Sequence, residues 1–146
     1  MAGFHRVTSH NPVTNLEPSY HAIATGTSLA GGTLAYLNAS ALAILAVSGS
    51  PILGYLEYRG TAVGNSLTDR AFIDDPEMIM EVSQGAMSDA DTLTGKYLTL
   101  STGARAVEVP DVGTPVQDFV IVEGSNSKLP KPGMLWVRII DRQLHS

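Results

Sequence analysis

Residues 72–100, FIDDPEMIMEVSQGAMSDADTLTGKYLTL, decide how the chain is read. Asp74, Asp75 and Pro76 punctuate the start, and two readings compete there. Asp75 followed by Pro76 and Glu77 makes a good helix N-terminus, with a capping carboxylate and a proline ring preset for the first turn. Against that, MIMEVS alternates, and Gly85 stops any helix after ten residues, so a strand over residues 78–83 is favoured. Ser88 poses the same question on a smaller scale. It is a plausible cap with Asp91 three residues on, and it opens about one helical turn before Gly95.

Downstream, residues 96–101 and 105–109 read as strands around the turn Thr102-Gly103. The segment Pro110 to Pro115 is a strong loop signal. Residues 118–122 and 134–141 are dense in Val, Ile, Phe and Trp and are the clearest strands in the chain. The polar loop EGSNSKLPKPG separates them.

Upstream, residues 52–60 (ILGYLEYRG) read as a strand, with Gly54 marking a bulge or a close backbone approach. TAVGNSLTDRAF follows as a turn-rich link. From Pro18 to Leu56 there are 39 residues without one Asp, Glu, Lys or Arg. Exposed surface is where charges collect, so such a run is either buried or covered by a partner. Residues 33–37 and 41–47 are its candidate strands, although ALAILAV also fits a buried helical turn.

Strand candidates separated by Gly, Pro or Asn, with no long amphipathic helix, predict a single all-β domain. It is a small β-barrel or β-sandwich with at most one or two short helical turns. Its predicted span is residues 21–146. Residues 1–20 carry Pro12 and Pro18 and no sustained period, and they read as an extended N-terminal arm. Either the arm is a frayed tail, or Phe4, Val7, Val13, Leu16 and Tyr20 are spaced apolar anchors that order on a neighbouring subunit.

Composition narrows the function classes. Of 146 residues, 16% are charged and the formal net charge is −5, whereas a phosphate-backbone partner calls for clustered Lys and Arg. No nucleic-acid partner is expected. The chain has no Cys, so disulfides, thiolate nucleophiles and Cys-based zinc sites are excluded, in keeping with assembly in a reducing cytoplasm. No apolar run approaches the roughly 18 residues of a membrane helix, so no membrane partner is expected.

Motifs with chemistry are weak. Asp89-Ala90-Asp91-Thr92-Leu93 lacks the buried strand before it that an aspartyl nucleophile needs, and it lacks the glycine and final Glu of a calcium loop. Asp74, Asp75, Glu77 and Glu81 read as a capped turn plus surface carboxylates rather than a cation site. His5, His10, His21 and His145 match no metal spacing. Neither a metal nor a cofactor is expected, and no catalytic residue is assigned. Tyr55, Tyr58 and Trp136 keep a glycan-binding β module open as an alternative.

Residues 25–142 resemble the small decoration, or cement, proteins of tailed-phage capsids. The likeness lies in ATGTSLAGGTLAYLN, DDPEMIMEVS, the SDADTLTGK turn and the closing WVRIIDR. The resemblance implies a compact β body without enzymatic activity that forms homo-oligomers, trimers favoured. It also implies binding to the major capsid protein on the outer surface of the virion. A head-completion or tail component is the other virion alternative.

Overall fold

The computed structural model of the protein describes residues 3–9, 17–75, 77–113 and 115–143. The first strands are β1 (His5–Arg6), β2 (Ser19–Ala22), β3 (Ser28–Ala30), β4 (Leu34–Leu37) and β5 (Ala43–Leu45). Next come β6 (Gly54–Leu56), β7 (Thr61–Val63), β8 (Asp69–Ile73) and β9 (Met80–Ser83). A 3₁₀ turn, Asp89–Thr92, precedes β10 (Tyr97–Leu100), β11 (Val107–Glu108), β12 (Phe119–Glu123) and β13 (Met134–Ile139). The protein is all-β, as predicted.

One sheet has six strands in the order β1-β9-β13-β12-β10-β11, another has five in the order β2-β8-β6-β4-β5, and β3 with β7 forms a two-stranded ribbon. Strand pairing in all three is antiparallel. Side chains alternate across a strand, and the five-stranded sheet uses both of its faces. Leu34, Tyr55 and Ile73 point to one side and join Phe4, Met80, Val82, Leu98, Phe119, Leu135 and Val137 in a core shared with the six-stranded sheet. Their neighbours Ala35, Leu56 and Phe72 point to the other side and form a second core with Ile23, Leu29, Leu53 and Ala62. Each large side chain buried this way contributes about 1.5–3 kcal/mol.

The sheets stack without closing. Among the described residues, the two edges of the five-stranded sheet meet through one parallel bridge, Ile23 to Ala43. Of the barrel and the sandwich, then, the layered form is the one present. Gly54 shows why a strand interior holds a glycine: a Cβ there would lie 2.0 Å from the carbonyl oxygen of Ile73 on the paired strand.

The region around Asp75 forms a turn and not a helix, and the strand expected over 78–83 is Met80–Ser83. Glu77 has a φ of 56°, a left-handed conformation incompatible with a first helical turn. The Asp75 carboxylate is bonded to Arg6 instead of capping backbone N–H groups. The Ser88 expectation is met, because its hydroxyl accepts from the Asp91 N–H at 3.3 Å and donates to the Asp91 carboxylate at 2.9 Å.

Two stretches differ from expectation. TAVGNSLTDRAF, read as a link, contains β7 and most of β8; between the two strands GNSLT reads as a turn, and it masked the short strands that bury Ala62 and Phe72. Residues 3–9, read as part of an arm, lie on the body of their own chain, with His5–Arg6 as strand. β1 pairs with β9, matching His5 with Glu81 and Arg6 with Met80.

Candidate interaction surface

The structure distributes the five predicted anchors unequally. Phe4 is 1% exposed and stacks on Phe119. Val7 is buried with Ile79 and Trp136 on the outer face of the six-stranded sheet. Val13 and Leu16 lie outside the described residues. Tyr20, on the edge strand β2, is 63% exposed.

The uncharged run divides in the same manner. Ile23, Leu29, Leu34, Ala35, Ala43, Ile52, Leu53 and Leu56 account for much of it inside the two cores. What remains outside is uncharged and partly apolar: Tyr20, Leu45 and Val47 are exposed.

Val47 belongs to a turn fixed by a buried carboxylate. Asp118, 4% exposed, opens β12 and accepts four hydrogen bonds. They come from the Ser48 hydroxyl at 2.7 Å, the Gly49 N–H at 2.9 Å, the Thr99 hydroxyl at 2.9 Å and the Leu100 N–H at 2.7 Å. A buried carboxylate is tolerated only when its lone pairs are satisfied in this way. Its effect is to clamp the turn 47–50 against the loop that precedes β12. Gly49 has a φ of 86°, the left-handed conformation that favours glycine, and lies in ordinary packing range of a Val116 methyl. The loop also carries the exposed Val109 and Val112. Leu45 and Val47 are thus exposed on an uncharged segment, tied through Asp118 to a loop that bears exposed valines and, between Val109 and Val116, the single charge of Asp111. Sequence reasoning missed Asp118; an acidic residue abutting the apolar run FVIV was the available signal.

The other polar groups are engaged in fastening the body. Arg6 pairs with the Asp75 carboxylate, and the Arg142 guanidinium donates to the carbonyl oxygens of Asp74 and Asp75. Burial pulls Arg142 below its ordinary value, opposed by the charges of Asp74 and Asp75. Glu81 accepts from the Trp136 indole at 3.0 Å and lies 3.3 Å from the His5 ring. Among the described residues no three His, Asp or Glu side chains are grouped to hold a metal. No helix among them is long and apolar enough to cross a membrane.

The aromatic trio considered for sugars is dispersed in role. Tyr55 and Trp136 are buried, and the Tyr55 hydroxyl accepts from the Arg6 N–H at 2.8 Å. Tyr58 is exposed, with the Arg70 guanidinium 4.9 Å from its ring centroid. It borders an open cleft of about 540 Å³ with Phe4, His5, Glu57 and Arg59.

No protein-family model, curated protein or solved structure matches this chain.

Proposed function

We propose that the protein is a non-enzymatic structural virion protein, a capsid decoration or cement protein that binds the outside of the assembled phage head. The observation that carries this reading is a set of exposed apolar side chains, Leu45 and Val47 on an uncharged segment and Val112 and Val116 on the loop that Asp118 ties to it, with Asp111 the one exposed charge on that loop. The centre of a protein interface is depleted of charge in the same way. A net charge of −5 suits an outer surface better than contact with packaged DNA. The resemblance of residues 25–142 to cement proteins points the same way.

The physics of such a role is linkage. A protein that binds the assembled lattice better than the free subunit stabilises the lattice by its binding free energy. Contact with several subunits at once adds avidity. Co-sedimentation with tailed-phage heads that lack decoration tests it, read together with the thermal stability of the heads. Saturable binding in hundreds of copies, with heads that melt at a higher temperature, is the expected result. Binding of a handful of copies would instead favour a head-completion or tail component, and no binding refutes both.

A further inference from the structure

We propose that the seat of β1 is a strand-exchange site, which residues 3–9 of a second copy fill when copies are crowded together. Its partners lie far along the sequence. The Phe4 N–H donates to the Gly32 carbonyl at 2.8 Å, the Arg6 N–H to the Tyr55 hydroxyl at 2.8 Å, and the Val7 N–H to the Ile79 carbonyl at 2.9 Å. The nearest of these partners is 28 residues away in sequence. β2, which follows β1 along the chain, belongs to the other sheet. Nothing in the seat therefore requires the strand to come from the same molecule.

The seat is selective for this segment. Gly3, at a φ of 95°, passes so close to Gly32 that a Cβ would lie 2.7 Å from its carbonyl oxygen. Phe4 fills a socket against Phe119, two positions on Arg6 meets Asp75, and Val7 rests beside Ile79 and Trp136. Backbone pairing along an open sheet edge, with pockets for alternate side chains, is the physics of strand addition. A second copy brings the same side chains to the same seat, so exchange preserves every contact.

Concentration then decides between closure and exchange. A short covalent connection gives the chain's own strand an effective concentration of about the millimolar range. Seven residues, 10–16, separate Ser9 from Glu17, and fully extended they reach roughly 25 Å. The dilute protein is self-closed, and exchange takes over where neighbours are held at comparable local concentration. This inference rests on the fold alone and stands whether or not the protein binds capsids.

Cysteine cross-linking tests it, because the chain has no cysteine of its own and His5 is paired with Glu81. H5C carrying a mass tag and untagged E81C are refolded together at about 1 mM chain, near the effective concentration of the tether, and then oxidised. The expected result is a tagged-to-untagged dimer whose yield falls on dilution, while an H5C/E81C double variant in dilute solution closes within one chain. Closure of the double variant without any mixed dimer at high concentration overturns the proposal. Failure of both cross-links removes the strand pairing itself and overturns it as well. The unsubstituted protein gives an independent reading: in a half isotope-labelled sample refolded at the same concentration, proximity signals must connect Phe4 of one copy with Phe119 of another. Their absence counts against exchange without relying on any variant.

Discussion

Phe4 and Phe119 stack with ring centroids 5.4 Å apart and planes inclined by 24°, so the beginning of the chain plugs the core between the two sheets. Phe4→Ala removes the plug and leaves a cavity against Phe119. The expected cost is about 3–5 kcal/mol, read as a lower urea midpoint with an unchanged slope. A loss below about 1 kcal/mol would show that the segment is not seated.

Asp118→Ala leaves two hydroxyls and the N–H groups of Gly49 and Leu100 without their acceptor. Each buried donor left unmade costs about 1–3 kcal/mol, so a marked drop in melting temperature is expected. Hydrogen exchange at Gly49 and Leu100 should quicken more than at β9. Unchanged protection at those two amides would mean that the turn is held by something else.

Gly54→Ala and Gly26→Ala separate space from backbone strain. The first puts a methyl 2.0 Å from the Ile73 carbonyl oxygen, whereas the second meets nothing within 4 Å, at a φ of 90°. The strained but open site costs about 1 kcal/mol. The blocked one must part β6 from β8, and the soluble folded yield is expected to collapse. Similar melting temperatures for the two variants would contradict the close approach.

Tyr55 gives the protein an alkaline limit. Burial raises its hydroxyl above the ordinary value of 10.0, partly opposed by the hydrogen bond and charge of Arg6. The folded state therefore holds this proton more tightly than the unfolded chain does. The stability it contributes is complete below pH 10 and is lost as pH climbs through the raised value. Urea midpoints from pH 9 upward should fall more steeply for the wild type than for Tyr55→Phe. Parallel curves would rule out the linkage.

Val47→Asp and Val116→Asp probe the interaction face. Val47 is 49% and Val116 36% exposed, and surface changes of this kind stay within about 0.5 kcal/mol. Head binding, in contrast, should weaken at least tenfold, since a charge is placed at a desolvated contact. Intact binding by both variants would move the contact elsewhere.

The legibility of this fold follows from where its signals sit along the chain. Strands β12 and β13 announce themselves because Val, Ile, Phe and Trp crowd into them, and Ser88 with Asp91 marks the 3₁₀ turn by a contact three residues long. β8 did not, since Asp69 and Arg70 make its first half polar while only Phe72 and Ile73 are buried. Phe4 and Val7 are buried on their own chain, and the spacing of apolar residues carries no record of which surface does the burying. Asp118 was illegible for a related reason. Its bond to Ser48 spans 70 positions, and the one local signal, its place against the apolar run FVIV, does not name the partners that satisfy it.

The turn at Asp74 and Asp75 receives Arg6 from near one terminus and Arg142 from near the other. Tension applied through Gly3 and Gln143 would therefore converge on one junction from both sides, after the Phe4 and Gln143 contacts that lie outside it have been loaded.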